Sequence, residues 1–178
     1  MDPVEEIKHI EEHIVKGSAI TKEEAASITE ISAPDIFNLF ASANKIRSHF
    51  RGDLVCLCSI VNAKSGFCSE DCSFCAQSSR SKAEIDTYPL LKKEHIIQKA
   101  REAKKYGIRR FSIVTSGRKI SRKNLLDIAD VISAIKHLGI IPCASLGLLR
   151  EDELSVLKAA GLDRYHHNIE TSAQHFPQ

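Results

Sequence analysis

Residues 121–146 read SRKNLLDIADVISAIKHLGIIPCASL. Leu125, Ile128, Ala129, Ile132, Ile135 and Leu138 recur at helical spacing behind Ser121, whose hydroxyl can accept from the free N–H groups of a first turn. Gly139 tolerates the left-handed backbone of a helix stop, and Ile140–Leu146 then reads as a strand. The same order holds on either side. A helix over 94–106, with Ile96, Ile97, Ala100 and Ala103, stops at Gly107 before a strand over 108–115. A helix over 151–160 stops at Gly161 before a strand over about 162–169. Helices and strands alternating in this way predict βαβ units and a parallel α/β sheet. Whether that sheet is open or part of a barrel cannot be read from the period.

Working upstream, Leu54–Val61 is a short apolar run that predicts a first, buried strand, giving four strands in all. Asn62–Ala76 reads as a loop, bent at Gly66, and residues 77–92 as polar and irregular around Pro89. The first fifty residues carry helix starts at Asp2-Pro3-Val4-Glu5, Thr21-Lys22-Glu23-Glu24 and Ser32-Ala33-Pro34-Asp35. Val4, Ile7, Ile10 and Ile14 form one apolar stripe. Ile36, Leu39, Phe40, Ala43, Ile46 and Phe50 form another. These helices are expected to cover an end or edge of the strand-bearing region, with His9, His13 and His49 as solvated positions. The turn Arg51-Gly52-Asp53 separates a helical segment, 1–52, from an α/β core, 53–178.

The chain has 178 residues, 27% charged and 43% hydrophobic, an ordinary globular balance. A formal net charge of +2 predicts no nucleic-acid or membrane-surface partner. No apolar run approaches the ~18 residues of a membrane span. The first twenty residues include Asp2, Glu5, Glu6, Glu11 and Glu12, unlike a signal or transit peptide. Six cysteines then read as cytoplasmic thiols suited to metal or redox work.

Three of them, Cys68, Cys72 and Cys75, fall at C-x3-C-x2-C in the loop after the first strand. Closely spaced thiolates grip iron–sulfur clusters, and three thiolates on four irons leave one iron for another ligand. Structural zinc prefers two separated close pairs, and Cys56-x-Cys58 is too tight to complete one. Ser112, Val114 and Ser116 share one strand face, Cys143 and Ser145 another, and His166, Asn168 and Glu170 a third. Polar residues on a buried sheet need partners, and a ligand over the C-terminal strand ends would supply them.

With Phe74 before the last cysteine, this pattern resembles the radical S-adenosylmethionine (SAM) superfamily. Within it, Asn62–Ser78, Ile113–Arg118, Cys143–Leu149 and Gly161–Ser172 resemble the biotin synthase family. The resemblance spans nearly all of residues 35–175. It implies a partial (β/α) TIM-type barrel with about four parallel strands, preceded by helices. It further implies that Cys68, Cys72 and Cys75 hold a [4Fe–4S] cluster whose fourth iron takes the amino and carboxylate groups of SAM. Reductive cleavage would give a 5′-deoxyadenosyl radical. That radical would take hydrogens from dethiobiotin, while an auxiliary iron–sulfur cluster gives up sulfur to form biotin. An external electron donor such as flavodoxin or ferredoxin would feed the site, and a homodimer is compatible with it. By the same resemblance Phe74 packs near the adenine, Asn168 and Glu170 bind the ribose, Asn168 also nears the substrate ureido ring, and Cys143 is an auxiliary-cluster ligand.

The sequence departs from that pattern at three points. Ser112 stands where many members carry a second auxiliary cysteine, and an oxygen ligand is harder and weaker for such iron. Cys56 and Cys58 share a strand face and could supply thiolates. Cys56 reads first as a small buried hydrophobe, and Cys58 stays open between the two readings. His166 replaces the usual Asn. The chain also ends at Gln178 with four strands, where the family's barrel has six or more βα units, so a truncated chain is expected. Two other readings stand beside the first: a radical SAM enzyme of the same group with no auxiliary cluster, which Ser112 would suit, and a non-catalytic cluster-binding fragment.

Overall fold

A computed structural model of the chain describes residues 2–169 and 172–174. The chain divides into two compact units, Met1–Val55 and Cys56–Gln178.

The first unit is helical: α1 (Pro3–Val15), α2 (Lys22–Thr29) and α3 (Ile36–Arg51). Pro3 opens α1 where its missing N–H is harmless. Thr21 and Glu24 close a reciprocal capping box on α2, as the sequence predicts. Ile7 and Ile10 of α1 are buried, and α1 packs on α3. Its polar link is Glu11, whose Oε2 accepts from the buried Ser42 hydroxyl and whose Oε1 lies 3.3 Å from Lys45 Nζ. The stripe expected on α3 divides: Ile36, Leu39 and Ile46 are half-buried, while Phe40, Ala43 and Phe50 are exposed. The seam runs through Ser42, one position from the apolar row that the period suggested.

The second unit holds β1 (Cys58–Lys64), α4 (Lys93–Lys105), β2 (Arg110–Thr115), α5 (Arg122–His137), β3 (Ile141–Ser145), α6 (Glu151–Ala159) and β4 (Arg164–Tyr165). All four strands are parallel, in the order β1-β2-β3-β4. Sequential order without reversal is that of a barrel wall; a doubly wound sheet reverses at a switch point. Phe111, Ile113, Val61, Ala63 and Ala144 point from the sheet into a core with Ile96, Leu125, Ile128, Ile132, Ile135 and Leu157 from the helices. The opposite face carries Cys58, Ile60, Asn62, Ser112 and Val114, which alternate with the buried set. One covered face and one open face is the arrangement of an arc of a (β/α) barrel.

Glycine sets the helix-to-strand corners. Gly139, at φ 77°, follows α5, and the next N–H reaches back to the Ile135 carbonyl at 3.4 Å. Ser121 caps α5 by accepting from the Asn124 N–H.

Two strand expectations are corrected. The first strand begins at Cys58 and runs to Lys64, so Asn62–Lys64 belong to the strand. Leu54, Val55 and Leu57 precede it, exposed, and Ile60 lies on the open face at 66% exposure. The apolar run is thus not a buried strand; burial follows alternate residues, Val61 and Ala63. The fourth strand is two residues long, against the eight expected over 162–169. Its partner β3 ends at Ser145 before the bend at Gly147, φ 83°, and the last ladder bond is His166 N–H to the Ala144 carbonyl.

Candidate functional site

The loops at the C-terminal ends of the strands are built on one another. Gly66, at φ 75°, turns the chain out of β1, and a Cβ there would meet Thr87 Cγ2 at 2.5 Å. Gln77 folds back to hold this turn: its side-chain oxygen accepts from the Gly66 N–H at 2.6 Å and the Ser65 hydroxyl at 3.2 Å. Cys68 N–H donates to the Gln77 carbonyl, and the Ser79 N–H donates to the Cys68 carbonyl. The loop is therefore a closed arc with Cys68 at its base. Within it a turn from Cys72 to Cys75 closes at 2.9 Å, and Asp71 pairs with Arg80 at 3.2 Å. The Ser116 hydroxyl ties the loop after β2 to the arc by donating to the Gly66 carbonyl at 2.6 Å.

None of the six cysteines is in a disulfide; Cys72 is exposed, and Cys68 and Cys75 are half-buried. Tetrahedral zinc with Zn–S bonds of about 2.3 Å needs thiolates about 3.8 Å apart. Among the described residues, only His9, His13 and Glu24 gather three such ligand atoms within 4.8 Å of one another. At least one pair among the three loop sulfurs is therefore more than 4.8 Å apart. Phe74 is exposed beside them.

A second polar group lies on the open face. Ser112 and Cys143 are register partners across β2 and β3. The Arg110 guanidinium, two residues before Ser112, lies 3.7 Å from the Cys143 sulfur and 2.6 Å from Asp163 Oδ2. Asp163 is held below the usual carboxylate range by that guanidinium. Cys143 is buried, and Cys58, opposite Arg110 in the β1–β2 register, is exposed. Cys56 precedes the strand and is exposed too, so neither cysteine is a small buried hydrophobe, and the two do not share a strand face.

The loop after β3 closes on the loop after β2. A Cβ on Gly147 would stand 2.2 Å from the Arg118 carbonyl oxygen, and the Leu148 N–H donates to that same oxygen. The Tyr165 hydroxyl accepts from the Leu146 N–H and donates to the Gly147 carbonyl, and burial pushes its phenol up from its ordinary value. Beyond Tyr165, His166 and Asn168 are exposed. Glu170 lies outside the described residues. Sequence reasoning quotes Gln77 only as part of the resemblance and gives neither Gln77 nor Arg110 a role in the site. Gln77 directly follows the cysteine motif, and alternation puts Arg110 on the face of Ser112, so both carried a signal.

Known proteins resemble this chain in sequence and in fold. Residues 63–176 match the family described as the Radical SAM superfamily. A biotin synthase from Thermodesulfovibrio yellowstonii is 57% identical over 141 residues, covering 79% of this chain and 45% of that protein. One from Citrifermentans bemidjiense is 42% identical over 173 residues, covering 97% and 53%. The chain thus spans about half the length of the curated relatives it matches. Among solved structures, HydG, a maturase of the [FeFe]-hydrogenase, superposes with a TM-score of 0.71 at 18% identity, over 91% of this chain and 36% of that one. That likeness concerns the fold.

Proposed function

The chain belongs to the radical SAM superfamily, and from that premise we propose that it generates a radical from SAM at Cys68, Cys72 and Cys75 in the service of sulfur insertion into dethiobiotin. Membership implies a [4Fe–4S] cluster and SAM. The observation that carries the reading is the arc itself: three cysteines outside any disulfide on one hydrogen-bonded loop at a strand's C-terminal end. Thiolates are the ligands such clusters take, and their number leaves one iron open to SAM.

When bound, that group supplies a reducing electron that splits the SAM sulfonium. The residues of the chain do the holding. Gln77 fixes the arc from inside, so the thiols are presented by a backbone that does not have to reorganise. Exposed Phe74 offers an apolar face to the adenine. Asn168 would hydrogen-bond the ribose and the substrate ureido ring, and Glu170 the ribose. Cys143, with Arg110 at its sulfur, is proposed as an auxiliary-cluster ligand, with Cys58 as a second thiolate on the same open face. Among the described residues, no helix is long and apolar enough to cross a membrane. A reducing cytoplasm, where thiols stay unpaired, and an external electron donor belong to the same proposal.

Ser112 opposite Cys143 favours one second reading, a radical SAM enzyme of the same group that inserts no sulfur. One experiment tests both. The chain is loaded anaerobically with iron and sulfide, reduced, and given SAM with and without dethiobiotin. Release of 5′-deoxyadenosine supports radical initiation, and its increase by dethiobiotin supports the substrate. Release that dethiobiotin leaves unchanged favours the second reading.

A further inference from the structure

The helical unit carries a side-chain cluster that radical chemistry does not use. His9-Ile10-Glu11-Glu12-His13 puts two imidazoles at i and i+4 on α1, the spacing by which helical zinc motifs present two ligands on one face. Glu24 on α2 faces them. One ring nitrogen of His9, one of His13 and one Glu24 carboxylate oxygen all lie within 4.8 Å of one another. We propose that His9, His13 and Glu24 bind a divalent transition-metal ion of the zinc type, which fastens α2 to α1.

Three independent observations point there. The first is distance. His13 Nδ1 and Glu24 Oε1 are 3.3 Å apart, and a tetrahedral ion with bonds of about 2.0–2.1 Å places two ligands about 3.4 Å apart. The second is polar satisfaction. His13 Nε2 is buried with no hydrogen-bond partner, an unfavourable state for a polar group. His13, expected from the sequence to be solvated, has only 22% of its side chain exposed, and Glu24 only 19%. The third is packing. No residue of α2 is fully buried and Ile28 alone among its large apolar side chains is half-buried, so apolar contact on this eight-residue helix is slight.

The carboxylate is also aimed in advance. Glu24 Oε2 accepts the Thr21 N–H at 2.8 Å, which leaves Oε1 turned toward His13. Outer bonds of this kind orient metal ligands. Glu11, between the two histidines in sequence, is committed to Ser42 and Lys45 and takes no part. Two imidazoles and one carboxylate with an open fourth position suit zinc, cobalt or nickel better than calcium or magnesium, which prefer all-oxygen sites.

The test uses the full chain with Cys68→Ala, Cys72→Ala and Cys75→Ala, so that the loop thiols take no metal. Zn2+ is titrated in, and affinity and the amide exchange of residues 3–29 are both followed. Slowed exchange in α2 on zinc addition is expected. His9→Ala, at an exposed position whose ring meets the His13 ring edge-on, should weaken binding at least about tenfold and remove the protection, and Glu24→Gln should do the same. If zinc gives α2 no protection, or if both variants bind and protect as the parent does, His13 and Glu24 form only an ion pair and the proposal is wrong.

Discussion

Ser112 and Cys143 face each other across β2 and β3, a hydroxyl opposite a thiol, with Arg110 3.7 Å from the sulfur. A thiol at position 112 would complete a pair of soft ligands on one face. Ser112→Cys should therefore raise the iron and sulfide held per chain after anaerobic loading, while Ser112→Ala should leave both unchanged. Equal loading in the parent and Ser112→Cys would remove Cys143 from the proposed auxiliary site.

Gln77 supplies the acceptor that Gly66 N–H and the Ser65 hydroxyl share, and both residues are buried. Gln77→Leu leaves those donors unpaired at a cost of about 1–3 kcal/mol. The arc should loosen before the sheet does. The expected result is faster loss of cluster absorbance in air, with the main thermal transition lowered by only a few degrees.

Gly147 sits at φ 83° with the Arg118 carbonyl where a Cβ would go. Gly147→Ala adds a left-handed non-glycine residue, costing about 1–3 kcal/mol, to a backbone clash that no side-chain rotation relieves. A Tm lowered by roughly 5 °C or more is expected by calorimetry. Gly17→Ala is the control: it has a positive φ but meets nothing within 4 Å, so its loss should be smaller.

Glu153 opens α6 with its carboxylate on the Arg150 N–H at 2.9 Å and on Lys119 Nζ at 2.8 Å. The Arg150 backbone bond first, and Lys119 second, hold its carboxyl below the usual range. A carboxyl depressed on folding contributes stability that is complete above its unfolded value and is lost as pH falls through the folded one. Denaturation followed from pH 7 down to pH 3 should show that loss in the parent. Glu153→Gln should be less stable at pH 7 and lose less on acidification.

The strand–helix alternation, the glycine stops and the caps at Thr21 and Ser121 were legible because each is local and periodic. The face of α3 was misjudged at Phe40 and Phe50, since a helical period shows an apolar stripe and not which edge meets α1. The length of the fourth strand was overestimated because pairing ends where β3 bends, at Gly147. The cysteine motif was plain from spacing alone. Its support was not: Gln77 bonds Gly66 across eleven positions, and Arg110 meets Asp163 across fifty-three, separations that no local window spans. The pairing of His13 with Glu24 escaped for the same reason.

The central claim is that Cys68, Cys72 and Cys75 together hold one cluster. It is tested most directly by iron, sulfide and zinc analysis of the anaerobically loaded chain beside Cys72→Ala and Cys56→Ala. About four irons and four sulfides on the three-thiolate site are expected. They should be lost in Cys72→Ala and kept in Cys56→Ala. Zinc near one per chain with no cluster absorbance, or equal loss in both variants, would contradict the assignment.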